Sequence, residues 1–294
     1  MRALYCDPNY RGPLTSFRSD HREAIENGAQ PTPADVEQIK NLYYAGVSHN
    51  DRMIAAVLAE LKRQGVLDDT LVIVTADHGE ELGDHGVWEH NHMYQTNLRV
   101  PFVVSWPKKL PKGARVDAMV ESVDMVPSVC DLLGLKPPFE DRQDAQGRNY
   151  GALDGKSWWP LVRGDAASIR EYSFAENGLE MAVQDGQWKL IVPAVALEKE
   201  TLASLKLNKV VRPRLFHLAT DAGELHDVID GEPAQAERLF APLKDWDARM
   251  PIPRTDIVKS ALDRRQLQLE LRRLGYADGV GQDVDPPQKA PEHK

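Results

Sequence analysis

The stretch Leu71-Val72-Ile73-Val74-Thr75-Ala76-Asp77-His78-Gly79 decides the fold. Its first four residues are a short, continuous, β-branched apolar run. Such a run suits a strand covered on both faces, as in the parallel sheet of an α/β domain. The run ends in a tight turn that bears an acid and a histidine. In open α/β sheets ligands bind beyond the carboxyl ends of the strands, which is where Asp77 and His78 fall. A carboxylate and an imidazole side by side can coordinate one divalent cation, with Gly79 letting the backbone bend away. The same spacing also fits a helix N-cap followed by a surface histidine.

Upstream of the turn, Thr32-Pro33-Ala34-Asp35 supplies a cap, a proline at the first helical position and an acid in the first turn. A helix is expected from Pro33 to about Gln64. Val36, Ile39, Tyr43, Val47, Ile54, Val57, Leu58 and Leu61 recur mostly at spacings of three and four, and Gly65 stops the helix. Its apolar face should lie on a sheet, and helix followed by buried strand has the form of a crossover unit.

Downstream, Val100 to Trp106 reads as a second strand with proline near its start. Met125 to Leu133, closed by Gly134, reads as a short helix. Residues 137–157 turn polar and glycine-rich, as a connecting loop does. Beyond them, Arg170 to Phe174, Leu179 to Val183, Trp188 to Ile191 and Arg214 to Leu218 are short strand-like pieces that suggest a small antiparallel sheet. Helices are expected over Pro233 to Met250 and Thr255 to Leu274, and the Gly- and Pro-rich tail after Tyr276 is expected to be disordered. The organisation is therefore an α/β core over 1–150, a small antiparallel β-plus-α unit over 151–276, and a tail over 277–294.

At 294 residues and 42% hydrophobic composition the chain can bury a substantial core. Its net charge of −9, from 45 acidic and 36 basic residues, gives no positive field to attract nucleic acid. Two cysteines, Cys6 and Cys130, cannot build a disulfide framework. No apolar run approaches the roughly 18 residues of a membrane span. The first residues do not have the form of a signal peptide. If Met1 is the true start, a cytoplasmic protein is expected; if the sequence is a piece of a longer chain, a periplasmic or secreted one.

Several stretches, in order, resemble the sulfatase family of the alkaline phosphatase superfamily. They are Leu42 to Val47, Gly65 to Gly79, Met93-Tyr94 with Leu98 to Val104, Val123 to Pro127 with Asp131 to Gly134, Leu215 to Leu218 with Asp221 to Leu225, and Leu271 to Tyr276. The resemblance implies the later strands and helices of a three-layer, mainly parallel sandwich followed by the small antiparallel unit. It implies hydrolysis of a sulfate ester, carried by a small molecule or a carbohydrate. A phosphonate monoester or phosphodiester hydrolase of the same superfamily, or a non-catalytic remnant that binds a partner, are the alternatives.

In the resembling family the strand-end acid and its neighbour are metal ligands, so Asp77 and His78 look like half of a divalent site. Calcium is the first expectation, with magnesium the other cation an oxygen-only site would favour, while the histidine also admits manganese or zinc. His90 occupies the place of a sulfate-binding lysine, counted from Tyr94. It could donate a hydrogen bond to sulfate or act as the acid for the leaving oxygen; the plain alternative is that His90 and His92 are polar loop residues. His85 is expected to structure its loop, His49 and His217 to pack or cap, and Glu80, Glu81 and Asp84 to form a solvated rim.

The family's nucleophile, a cysteine or serine converted to formylglycine within C-x-P-x-R, and the paired acids of the first strand are not found in these 294 residues. Cys6-Asp7-Pro8-Asn9-Tyr10-Arg11 has one residue too many before its arginine, and Tyr10-Arg11-Gly12-Pro13 instead resembles a later loop of the family. Little or no activity is expected of this chain alone, with an N-terminal half as its missing partner. Neither a phosphate-cradling glycine loop nor a G-x-S-x-G elbow is present.

Overall fold

Thr32 caps the helix reciprocally in the computed structural model: its hydroxyl accepts from the Asp35 amide at 3.2 Å, and the Asp35 carboxylate accepts from the Thr32 amide at 2.9 Å. The structure describes residues 2–14, 31–90, 92–136, 142–143, 149–150, 154–177, 180–194 and 212–249. The helix expected over 255–274 and the tail lie outside them. After a single turn, α1 (Arg2–Tyr5), the Tyr10 hydroxyl donates to Asp35 at 2.5 Å and so ties the first loop to the start of α2 (Pro33–Arg63).

Among the described residues, burial along α2 is confined to its first half. Ile39, Leu42 and Ala45 are buried, and Ile39 packs with Leu14 and Leu82 beside Tyr10, Tyr43 and Trp88. Val47, Ile54 and Val57, on the stripe expected to face a sheet, are 36–59% exposed. Among the described residues no strand runs alongside them.

The decisive strand is β1 (Val72–Thr75). It pairs antiparallel, Val72 opposite Ser105 and Thr75 opposite Phe102, with β4 (Phe102–Ser105). Between them lie the two-residue pair β2 (Glu81–Leu82) and β3 (Trp88–Glu89) and a short α3 (Gln95–Leu98). Every strand pair among the described residues is antiparallel, so the expected mainly parallel sheet is not seen among them. The physical reason is the connection. The chain leaves β1 at its carboxyl end and re-enters beside it at the same end, whereas a parallel pair needs a crossover that carries the chain back. Nor is β1 covered on both faces: Val72, Ile73 and Val74 are half-buried.

One side of this pair is nevertheless packed. Trp106, Leu132 and Trp158 form a core with Leu71, Phe102 and Val104. Leu132 comes from α4 (Met125–Leu133), which ends as expected at Gly134 in the left-handed conformation, φ 68°. A two-residue pair, β5 (Arg142–Gln143) with β6 (Asn149–Tyr150), and a short α5 (Trp159–Arg163) follow.

The second unit is the antiparallel sheet that the sequence predicts. Its strands are β7 (Ser173–Glu176), β8 (Glu180–Gln184), β9 (Trp188–Pro193) and β10 (Arg214–His217), in the order β10-β9-β8-β7. Alternation separates two faces with different chemistry. Met181, Val183, Leu190, Val192 and Leu215 pack on Ala236, Leu239, Phe240 and Leu243 of α6 (Pro233–Ala248). The other face carries Ala182, Ile191 and Phe216, which pack on Met93 and Tyr94. By register it also carries Glu180, Gln184, Lys189 and Arg214. A charged sheet face is thus pressed against the segment just before α3.

Candidate metal centre

The turn after β1 projects Asp77 into solvent. One oxygen, Oδ1, accepts the His78 amide at 3.0 Å, and Oδ2 lies 3.7 Å from His78 Nε2. That amide bond, followed by the charge of His78, holds the Asp77 carboxyl below the usual carboxylate range. His78 Nδ1 sits 2.8 Å from the Gly79 carbonyl and must carry the proton there. In the neutral imidazole its Nε2 then offers a lone pair on the side of the Asp77 carboxylate. Two facing donors of this kind are satisfied by a cation, and the residue types fit a divalent one.

Gly79 is required, for a different reason from the bend the sequence suggests. Its amide donates to the Asn97 carbonyl at 2.8 Å, and a Cβ placed on it would meet the Thr96 carbonyl oxygen at 1.8 Å. The turn is pressed onto the backbone of α3, which only glycine allows.

His90 comes to the same place. Its ring stacks on His78 with centroids 4.0 Å apart and planes 23° apart, and its Nδ1 lies 3.5 Å from Glu80 Oε2. One atom from each of His78, Glu80 and His90 lies within 4.8 Å of the others. His92 does not join them. It is buried, with Nδ1 3.5 Å from Glu180.

The rim also needs correction. Asp84 is exposed as expected, but Glu81 is wholly buried and its carboxylate accepts from the Thr96 hydroxyl, with His85 at 3.3 Å. Glu80 keeps 13% of its side chain exposed. Glu81, in β2, is covered by Thr96 of α3, while Glu80, directly before β2, lies against His90. His85 structures its loop: its Nε2 lies 2.9 Å from the Gly223 carbonyl and its ring stacks on Tyr94 at 3.8 Å. His217 sits 2.5 Å from the Thr220 hydroxyl in the turn after β10, while His49 is exposed on α2.

Behind the site, the charged face of the small sheet fastens the segment 92–95. The Tyr94 hydroxyl accepts from Arg214 at 2.5 Å, and Arg214 also pairs with Glu180. Glu180 accepts from the Met93 amide at 3.2 Å, and Gln95 donates to Gln184 at 2.6 Å. Burial pushes the Tyr94 hydroxyl up, against the neighbouring Arg214 charge. Sequence reading missed this network because its partners stand 34 to 120 positions apart. Its one local signal is a lysine, Lys189, inside an otherwise apolar strand.

The fold is similar to that of BT1596, a 2-O GAG sulfatase, with TM-score 0.64 and 17% identity over 95% of this chain and 62% of that one. The profile described as Sulfatase matches residues 7–135, and that described as N-sulphoglucosamine sulphohydrolase, C-terminal, matches residues 83–245, more than half of the chain. The chain belongs to the sulfatase family. It is 28% identical to choline-sulfatase of Rhizobium meliloti over 181 residues, which cover 60% of this chain and 33% of that protein. Its fold is similar to BT4656 in complex with its substrate D-glucosamine-2-N,6-O-disulfate, with TM-score 0.58 and 20% identity over 77% of this chain and 44% of that one. It is also similar to the phosphonate monoester hydrolase of Agrobacterium radiobacter, with TM-score 0.59 and 22% identity over 80% and 51%. The chain spans about a third of the length of the curated relatives it matches. Among the described residues no helix is long and apolar enough to cross a membrane.

Proposed function

We propose that this chain carries the metal-binding half of a sulfate-ester hydrolase, with the nucleophile contributed by sequence outside these 294 residues. The observation that carries the reading is the pair of facing donors, Asp77 Oδ2 and His78 Nε2, 3.7 Å apart at the carboxyl end of β1. Asp77 and His78 would hold a divalent cation. When bound, such a cation supplies Lewis-acid polarisation of an ester oxygen. His90, stacked on His78, stands where an imidazole N–H can meet a sulfate oxygen or protonate the leaving oxygen. The network of Tyr94, Arg214 and Glu180 keeps the segment beside His90 in register with the turn. The substrate is a sulfate ester of a small molecule or carbohydrate, a reading supported by the substrates named for choline-sulfatase and BT4656.

Turnover of an aryl sulfate by the purified chain tests this reading. No rate above a mock preparation is expected. A rate that disappears in Asp77→Ala would show that the chain is catalytically complete. Once the remaining sequence is supplied, a sulfate ester should be cleaved faster than a phosphodiester; the reverse order would assign the chain to the phosphonate and phosphodiester hydrolases.

A further inference from the structure

We propose that His85 and Glu224 are positioning residues, which together clamp the start of α3 and so seat the turn formed by Asp77, His78 and Gly79 against that helix. Its consequence for metal binding rests on the reading of Asp77 and His78 as ligands; the clamp itself does not.

His85 and Glu224 are the only non-glycine residues with positive φ among the described residues, at 58° and 54°. Such a backbone is costly and persists only where the surroundings impose it. Here the two strained positions meet: His85 Nε2 lies 2.9 Å from the carbonyl of Gly223, the residue before Glu224. Between them they hold residues 94–96. The His85 ring stacks on Tyr94, with centroids 3.8 Å apart and planes 6° apart. Buried Glu224 accepts from the amide of Gln95, the first residue of α3, at 2.5 Å. Tyr94, at the cap position, supplies no side-chain bond to that helix, so a carboxylate 129 positions away satisfies an amide that a local cap would otherwise take. Glu81 completes the clamp, accepting from the Thr96 hydroxyl and facing His85 Nδ1 at 3.3 Å. The same helix receives the turn, through the bond from the Gly79 amide to the Asn97 carbonyl.

Both ring nitrogens of His85 face acceptors, and a neutral imidazole donates only one bond, so the two contacts together require the imidazolium. The groups around it are Glu81 from β2, Glu224 from the turn after β10, itself paired with Lys189, and the Tyr94 ring, whose hydroxyl accepts from Arg214. Burial opposes the charge, but the bonds to Glu81 and Gly223 and the charges of Glu81 and Glu224 hold the imidazole above its ordinary 6.5. The clamp is therefore complete below pH 6.5 and loosens as pH rises through the raised value.

Hydrogen exchange of the Gly79 amide in the full chain, measured against the amides of β8, tests the clamp without metal or turnover. His85→Gln should lower the relative protection of Gly79 by about tenfold or more, as loss of hydrogen bonds to a charged group does. The double variant Lys189→Met with Glu224→Leu, which removes the carboxylate without stranding a buried charge, should do the same. From about pH 6 to about pH 8 the protection of Gly79 should fall further in wild type than in His85→Gln. Unchanged relative protection in either variant, or a pH dependence identical in wild type and His85→Gln, would overturn the proposal. Manganese(II) titration separates it from the metal reading: affinity should fall in step with Gly79 protection. A wild type that binds no manganese, while the variants still loosen Gly79, would leave the clamp standing and remove the metal reading beneath it.

Discussion

Lys189 Nζ lies 2.7 Å from Glu224 Oε1, and neither side chain reaches solvent. Glu224 holds a left-handed backbone, φ 54°, and its other oxygen accepts from the Gln95 amide at 2.5 Å. One ion pair therefore joins the small sheet, the turn after β10 and the start of α3. Removing one partner leaves a buried charge behind. Lys189→Met should cost about 3–5 kcal/mol, and adding Glu224→Leu should recover much of it. Urea midpoints of the single and double variants decide this.

Burial, opposed by Glu224, pushes the Lys189 ammonium down from its ordinary 10.5 to about 8. The sign follows from linkage. Between pH 8 and 10.5 the unfolded chain binds more protons at this group than the folded one, so its contribution to stability rises with pH. Below pH 8 the cost of charging the buried lysine is fully present. Wild type should gain stability relative to Lys189→Met as pH is raised from 8 to 10; urea unfolding at each pH measures the difference.

Arg170, with 5% of its side chain exposed, pairs with both Glu121 and Asp124. Asp124 is wholly buried and also accepts from the amides of Glu121 and Lys156 at 2.8 and 2.7 Å. Arg170→Ala should destabilise by about 3 kcal/mol or more. Arg170→Lys should rescue little, since an ammonium lacks the fork that spans two carboxylates. Thermal unfolding of the two variants tests both statements.

Along α2 the cost of substitution should change abruptly. Ile39→Ala empties a fully buried position and should cost about 2–5 kcal/mol. Val57→Ala, on the 59% exposed stretch of the same stripe, should fall within about 0.5 kcal/mol. Chemical denaturation of both variants checks the contrast.

Gly79→Ala should abolish metal binding without touching a ligand. Its Cβ would strike the Thr96 carbonyl, so the turn must lift from α3 and take Asp77 and His78 with it. Retention of wild-type affinity, read by titration, would show that the turn tolerates the shift.

These particulars show which parts of the molecule local chemistry encodes. The cap at Thr32, the stop at Gly134 and the strand-like runs of β8 and β9 each depend on neighbours a few residues away, and all were legible. The strand ending at Thr75 was legible as a strand but not in its pairing, because the direction of a partner depends on how the 26-residue excursion to Phe102 returns. Asp77, His78 and His90 were identifiable by type and position, and the structure brings all three together. Glu80 was not, since an acid in a Glu-Glu pair looks solvated until His90 is laid against it. Lys189 shows only as a charge inside an apolar strand and Glu224 not at all, since each is explained by a partner 35 positions away.

The account stands most directly on the metal affinity of the purified chain, wild type against Asp77→Ala, followed by titration calorimetry with a divalent cation. It predicts one saturable site per chain and an affinity lower by about tenfold or more in the variant. Equal affinity in the two proteins, or no saturable site in either, would contradict it.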